Sequence, residues 1–197
     1  MGQAALKHSL SVADYLELER STDTKYEYHE GEVFAMAGGT VYHSLIGSNI
    51  IGEIGILLKG SLYSCFSSNL KIAVSPTKYL YPDAAVICGK PETFEENPHA
   101  ANNPTIIVEV VSSDSESYDR GDKFWLYRGL TSLLDYVVVS QDKPVVDVFS
   151  RTDFDLWKIS SYRGLDKLVT LPSLDITIPM TEIYAGITFE NLEDFLS

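Results

Sequence analysis

The sequence predicts a single α/β domain, residues 1–197, in which helices flank a mixed β-sheet that a late antiparallel meander extends. Two observations predict this class. Helical and strand-like patterns alternate in the first two thirds of the chain, whereas the last third is a run of strand-like segments. The chain also has 197 residues, of which 45% are hydrophobic and 22% charged, so it is long enough to bury one sizeable core.

The N-terminal part predicts a helix, a hairpin and a second helix. Ser11, followed three residues later by Asp14, forms a capping-box pattern that begins the first helix. The Glu-Gly pair at 30–31 is an acceptable tight turn between two short strands. Thr40 caps the second helix and Gly60 ends it, because apolar residues recur at helical spacing between them.

The rest of the chain predicts mostly strands. The strand-like runs lie at 62–66, 69–74, 83–88, 105–112, 135–140, 145–151, 155–163 and 167–172. The Pro- and Asn-rich stretch 91–104 predicts a loop, and a helix is predicted to begin at Asp119 and end at Gly129. A short acidic helix is predicted to close the chain.

Charge and hydropathy exclude some classes of protein. The net charge of −13 argues against holding nucleic acid by bulk electrostatics, which needs a basic surface, but leaves open a site that reaches phosphate through bound cations. No stretch approaches the ~20 apolar residues of a membrane span, and the N-terminus lacks the apolar core of a signal peptide. A cytoplasmic protein without a membrane partner is therefore expected.

One acidic residue interrupts the most apolar strand. Glu109 lies between Val108 and Val110, where a buried ionised carboxylate must be paired, protonated or bound to metal. Asp83 stands at the head of another apolar run, so neighbouring strands would bring the two carboxylates together. Oxygen-only ligands suit Mg²⁺ or Mn²⁺, so the pair indicates a divalent metal site.

A cation is expected beside such a site, and the next helix offers one. Lys123 is the nearest candidate, with Arg120 one turn before it and Tyr127 one turn after it. A helix packed back over its own strand would aim Lys123 at Glu109. Two structural interpretations stay open: Glu109 forms a buried ion pair with Lys123 or Arg120 without metal, or Lys123 is solvated.

Other residues have equally ordinary interpretations. Asp83 alone could cap a turn, and His43 falls close to the apolar stripe of its helix, where a core histidine is common. Glu27 alternates with two tyrosines and could face outward, and Tyr127 is most simply a packing residue.

Five motifs in order resemble the Uma-two family of restriction endonucleases, in the PD-(D/E)xK nuclease superfamily. They are Glu27, "GEVFAMAGG" with the following His43, Pro82-Asp83, "EVVS" from Glu109, and Asp119-Arg120 through Lys123 to Tyr127. The resemblance covers roughly residues 11–151 and implies a restriction-endonuclease-like core. Where the family often has Ser-Pro-Ser after the strand, this chain has Ser112-Ser113-Asp114, which adds negative charge.

The resemblance also implies roles for individual residues. Asp83 and Glu109 would bind the metal, with the Val110 carbonyl as a third protein ligand, and Lys123 would replace the superfamily's strand lysine. Glu27, His43 and Tyr127 are accessory candidates near the site.

The implied function is a Mg²⁺-dependent endonuclease, with Mn²⁺ as a substitute metal, that cleaves DNA as a homodimer. One alternative is a catalytically silent nuclease fold that serves as an interaction module, which the net charge of −13 favours. Another is a nuclease that acts on RNA or single strands.

Overall fold

The structure is a computed structural model that describes residues 9–36, 38–113, 115–153 and 155–189. The helices are α1 (Val12–Ser21), α2 (Val41–Leu57), α3 (Glu116–Tyr118), α4 (Phe124–Tyr127) and α5 (Met180–Ile183). A π-helical turn, Asp119–Lys123, joins α3 to α4, and these three pieces together are called the 116–127 helix. Asp114 and the end of the predicted C-terminal helix beyond residue 189 lie outside the described residues.

The strands form two six-stranded sheets and one two-stranded sheet. They are β1 (Tyr26–His29), β2 (Glu32–Ala35), β3 (Tyr63–Ser67), β4 (Lys71–Ser75), β5 (Lys78–Leu80), β6 (Ala84–Cys88), β7 (Thr93–Phe94), β8 (Asn97–Ala101), β9 (Pro104–Val111), β10 (Asp135–Ser140), β11 (Val145–Asp153), β12 (Leu156–Arg163), β13 (Leu168–Leu171) and β14 (Ile176–Pro179). Sheet 1 has the order β2-β1-β5-β4-β8-β7, sheet 2 has the order β12-β11-β10-β9-β6-β3, and sheet 3 is β13-β14.

Helix caps and a tight turn begin and join the N-terminal elements as the sequence predicts. The side chain of Ser11 accepts from the backbone N–H of Asp14, and the Asp14 side chain accepts in return from the backbone of Ser11, which completes the capping box of α1. Thr40 caps α2 by accepting from the backbone N–H of His43. Residues 30 and 31 both have positive φ, 49° and 103°, which a two-residue hairpin turn between twisted strands requires.

One face of sheet 2 packs against α2, and its other face packs against residues of sheet 1 and of the 116–127 helix. The even-numbered residues of β9 pack against the buried isoleucines of α2, which are Ile46, Ile50 and Ile54. The odd-numbered apolar residues, Ile107 and Val111, pack with residues of sheet 1 and of the 116–127 helix. Each such buried side chain contributes roughly 1.5–3 kcal/mol to folding. Strand β9 therefore lies between two cores and is buried along its whole length.

The central sheet is mixed, as predicted. Strands β9 and β10 are parallel, whereas every other neighbouring pair in sheet 2 is antiparallel, including the late meander β10-β11-β12. A parallel pair needs a crossover, and the 116–127 helix provides it. This helix packs back over the odd-numbered face of β9, which is the face that carries Glu109.

Four details differ from the sequence predictions. The stretch predicted as a loop at 91–104 contains β7 and β8, which join the edge of sheet 1. Two short strands, β5 and β14, were not predicted. The third helical segment begins at Glu116 rather than Asp119, because the Glu116 N–H already donates a helix-type hydrogen bond to the Ser112 carbonyl. Finally, the strand predicted at 167–172 pairs with β14 in its own small sheet rather than extending the central one.

The length of the helices decides whether any of them could cross a membrane. The longest helix in the described part of the chain is α2, with 17 residues. Over the described ranges, no helix combines the length and the apolar character needed to cross a bilayer.

Candidate active site

A cleft of about 1450 Å³ opens over the end of β9. Residues of both large sheets, α2 and the 116–127 helix line it, and all the sequence-predicted site residues except Tyr127 are among them: Glu27, His43, Asp83, Glu109, Val110 and Lys123. The structure therefore brings together side chains that lie almost a hundred positions apart in the sequence.

The two predicted metal ligands lie at neighbouring strands, because Asp83 directly precedes β6 and Glu109 lies on β9. Strands β6 and β9 pair antiparallel with Ala84 opposite Val108, and the Asp83 N–H donates to the Val108 carbonyl over 3.1 Å. One carboxylate oxygen of Asp83, Oδ2, accepts from the Val110 N–H at 2.7 Å. This bond holds the Asp83 side chain against the strand that carries Glu109. The expected pairing of the two strands is confirmed.

Glu109 forms a buried ion pair with Lys123. The Lys123 Nζ lies 3.0 Å from Glu109 Oε2, and both residues are buried, at 3% and 6% exposure. The other oxygen, Glu109 Oε1, is buried without a hydrogen-bond partner among the described residues. Arg120 is not the partner, since it pairs instead with Glu116 and Asp147. The helix therefore aims Lys123 at Glu109, an arrangement that both the metal-site interpretation and the structural ion-pair interpretation of the sequence include.

Two further carboxylates surround the same ammonium group. Glu27 Oε1 lies 3.4 Å from Lys123 Nζ, and Asp119 Oδ1 lies 3.7 Å from it. Glu27 thus faces inward, and its Oε1 also accepts from the Tyr81 N–H at 3.4 Å. Burial by itself would lower the pKa of Lys123, but Glu109 and Glu27 above all overcome burial and raise it, so the lysine is charged.

Among the described residues around Glu109, carboxylates outnumber cations. Burial raises the pKa of Glu109 well above its ordinary value, and the nearby charges of Asp83 and Asp119 raise it further, while Lys123 opposes the shift. The pKa of Asp119 is also raised, chiefly by burial. One ammonium group is shared by three carboxylates, with Asp83 as a fourth beside them. The cluster consequently favours the uptake of additional positive charge.

His43 lies against Asp83 rather than in the core. Its Nε2 is 3.2 Å from Asp83 Oδ2, and its side chain is 26% exposed. The hydrogen bond to Asp83 raises the pKa of the imidazole more than burial lowers it, and a hydrogen bond with the Val110 backbone adds to the rise. His43 therefore contacts two of the three groups that the resemblance assigns to the metal.

Tyr127 packs beneath the cluster. It is fully buried in the core shared by the two sheets, as the packing interpretation predicted. Its hydroxyl has no hydrogen-bond partner in the described part of the chain. Burial raises the pKa of this hydroxyl, and the charge of Glu109 raises it further. Tyr127 is thus a neutral packing residue beneath the cluster and does not line the cleft.

Sequence reasoning missed the part that Asp119 plays. It was assigned to the start of a helix, whereas the structure buries its side chain at the π-helical turn beside Lys123. The spacing of four residues between Asp119 and Lys123 was the available signal, since such residues lie on one helix face. The π-helical turn itself has no comparable sequence signal, although such turns are frequent at functional sites.

Residues 12–181 match the Uma2 family, described as "Putative restriction endonuclease". The chain belongs to this family. Two uncharacterized proteins of Synechocystis sp. (strain ATCC 27184 / PCC 6803 / Kazusa) are similar to it. One, slr1290, is 33% identical over 181 residues, which cover 91% of this chain and 94% of that protein. The other, sll1609, is 26% identical over 156 residues, which cover 79% of this chain and 88% of that protein.

A solved structure shares the fold. The crystal structure of "a putative nuclease belonging to DUF820" from Anabaena variabilis ATCC 29413 superimposes with a TM-score of 0.70 at 19% identity, covering 89% of this chain and 98% of that chain. At this identity the likeness shows the fold alone. The Uma2 membership and the nuclease fold that the motifs predicted are both confirmed.

The donors of this Uma2 site fit a hard divalent cation. No group of three or more His, Cys, Asp and Glu side chains within the described ranges is arranged to hold a metal. Two carboxylates with a main-chain oxygen are a different donor set, and Asp83, Glu109 and Val110 all line the cleft. The unpartnered Oε1 of Glu109 is a buried oxygen acceptor that a cation would satisfy.

Proposed function

We propose that this protein is a divalent-metal-dependent endonuclease that hydrolyses phosphodiester bonds in DNA, with Mg²⁺ as its metal and Mn²⁺ as a substitute. The observation that carries the proposal is the excess of buried carboxylates over cations around Glu109, together with its unpartnered Oε1. Membership of the Uma2 family supports the same reaction class.

Asp83, Glu109 and the Val110 carbonyl would hold the metal. When bound, the ion acts as a Lewis acid, which makes a water molecule more acidic and offsets negative charge on the phosphate. Glu109 can serve the ion and Lys123 at once, because Lys123 takes Oε2 and Oε1 has no partner in the described part of the chain. The Val110 N–H fixes the orientation of the Asp83 carboxylate.

Lys123 would orient the attacking water and stabilise charge on the phosphoryl oxygens. Its ammonium group is fixed by three carboxylates, so it needs little reorganisation during the reaction. The water oxygen forms the new bond to phosphorus while the bond from phosphorus to O3′ breaks. The water gives up one proton to solvent, and O3′ takes one from solvent.

The quaternary structure is part of the proposal. The homodimer implied by the resemblance would bring two such clefts to one DNA molecule. Light scattering at micromolar concentration measures the mass of the assembly and checks this directly.

Cleavage assays on several nucleic acids test the proposed activity. Supercoiled plasmid, linear duplex, single-stranded DNA and RNA are incubated with Mg²⁺, with Mn²⁺ or with EDTA. We expect metal-dependent cleavage of DNA, and none by the Asp83→Asn/Glu109→Gln double variant. Equal cleavage by the double variant would show that the nuclease activity arises elsewhere or from a contaminant. Metal binding without cleavage of any of the four substrates would favour the silent interaction module.

A further inference from the structure

An exposed tryptophan lines the cleft beside the site. Trp125 follows Lys123 by two residues and is 64% exposed, although it is among the largest apolar side chains. The other tryptophan, Trp157, is half-buried and packs edge-on against Phe124, with ring centroids 5.2 Å apart. A large exposed aromatic ring at the edge of a functional cleft is an available contact surface for a ligand.

Arg128 holds the indole ring in place. Its guanidinium carbon lies 4.2 Å from the centroid of Trp125, and the same guanidinium donates to the Asp155 carbonyl at 3.3 Å. The ring is therefore fixed by a cation on one side while most of the side chain stays open. A ring fixed in this way loses little conformational entropy when a flat ligand stacks on it.

The charge of the cleft disfavours a duplex held through its phosphates. Among the described residues that line it, six are carboxylates and only two are lysines: Asp23, Glu27, Asp83, Glu109, Asp119 and Asp122, against Lys25 and Lys123. Lys123 is neutralised by its carboxylates, and Lys25 already donates to the Ser68 carbonyl and to Asn69 Oδ1, both at 2.8 Å. Affinity for nucleic acid must then come largely from contacts that do not depend on phosphate charge.

We propose that Trp125 is a stacking platform for an unpaired nucleobase, and that the substrate lies in the cleft as a single-stranded segment. This inference rests on the proposed nuclease function and names its substrate class. Stacking on an aromatic ring needs a base that is free of its complementary strand, and it is tolerant of base identity. Since few phosphates are neutralised, binding should also depend only weakly on salt concentration.

Intrinsic fluorescence reports on the platform without cleavage. In the Trp157→Phe variant, Trp125 is the sole tryptophan. It is titrated in EDTA with a 12-mer of dU, a 12-mer of U and a 12-base-pair duplex. We expect single strands of either kind to quench the emission, with the ratio of the two affinities identifying the preferred sugar. The duplex should bind at least tenfold more weakly.

Affinity measurements separate stacking from general effects. Trp125→Ala should weaken the binding of labelled single strands, measured by fluorescence anisotropy, by roughly five- to a hundredfold, the range expected for losing one stacked base. Trp125→Phe should keep most of the affinity. Leu62→Ala is the matched control, because Leu62 is 78% exposed but does not line the cleft, and it should bind like the parent.

Three results would overturn the proposal: equal affinity of Trp125→Ala and the parent, equal affinity for duplex and single strand, or no single-strand binding in EDTA, since stacking needs no metal.

Failure of the stacking proposal can be told apart from failure of the nuclease function. If single strands quench Trp125 but no substrate is cleaved with Mg²⁺, the nuclease proposal fails and the platform stands. If Trp125→Ala cleaves and binds single strands like the parent, the platform fails and the nuclease stands.

Discussion

Lys123→Met is the most informative single substitution in this protein. It keeps much of the apolar stem and removes the ammonium group that three carboxylates share, at distances of 3.0, 3.4 and 3.7 Å. At an effective dielectric constant near 20, each of these contacts is worth about 5 kcal/mol before desolvation is counted. The cost of removing the ammonium group from water offsets most of this summed attraction. The net effect on the free energy of unfolding is therefore taken from substitutions of comparable buried ion pairs.

The expected loss in the free energy of unfolding is about 3–5 kcal/mol without divalent metal. This is the scale for removing one partner of a buried ion pair, because the remaining carboxylates are left uncompensated. Urea denaturation in EDTA measures it. Lys143→Met is the matched control: Lys143 is 32% exposed, its Nζ lies 3.7 Å from Glu116 Oε2, and its removal should cost less than about 1 kcal/mol.

Magnesium should partly reverse the loss. Lys123 and a divalent ion both satisfy Glu109, so removal of the lysine leaves a stronger site for the ion, and Mg²⁺ should raise the melting temperature of Lys123→Met more than that of the parent. A loss below about 1 kcal/mol in EDTA would refute the reasoning. A smaller rise with Mg²⁺ in the variant than in the parent would refute the shared role of Glu109.

Three other substitutions test the site from different directions. Glu109→Gln should abolish cleavage yet change the unfolding free energy in EDTA by no more than about 1 kcal/mol, because the shape is kept and Lys123 still has Glu27 and Asp119 as charge partners. A loss above about 2 kcal/mol, measured by urea denaturation, would indicate a purely structural ion pair. Asp83→Asn should abolish the calorimetric heat of Mg²⁺ binding, and unchanged binding would mean that the ligand is misassigned. Gly39→Ala would place a Cβ 2.5 Å from the His43 ring, so the imidazole must shift and cleavage should fall at nearly unchanged melting temperature. Gly38→Ala, with nothing within 4 Å, is its control and should cleave like the parent.

The sequence was sufficient to pair Asp83 with Glu109. Asp83 begins an apolar run and Glu109 interrupts another, and a carboxylate in such a position has few physical explanations. The sequence alone therefore suggests that the two side chains share a site if their strands are neighbours, and β6 and β9 are neighbours. The position of Lys123 agrees with the expectation that a helix packed back over its own strand can aim this side chain at Glu109. The roles of these residues in catalysis stay predictions.

Strand β8, the direction of Glu27 and the burial of Asp119 have weak or contrary signals in the sequence. Strand β8 contains Pro98, and proline in a short run argues against a strand, so the edge of sheet 1 was predicted as a loop. Glu27 lies between two buried tyrosines, Tyr26 and Tyr28, so the usual alternation of buried and exposed positions gave no direction for its side chain. The burial of Asp119 depends on the π-helical turn, which composition does not indicate.

The site draws on both large sheets, and this affects when it can exist. Glu27 lies on β1 of sheet 1, Glu109 on β9 of sheet 2, and Asp83 on the short link between β5 and β6 that passes from one sheet to the other. Contacts between residues so distant in sequence form slowly, because the chain loses the entropy of closing a long loop before the contact stabilises it.

A nascent or partly folded chain with only one sheet in place has an incomplete set of carboxylates and no enclosed cleft. Glu27 reaches Lys123 only when the two sheets have docked, so the complete cluster of carboxylates should form at that step of folding.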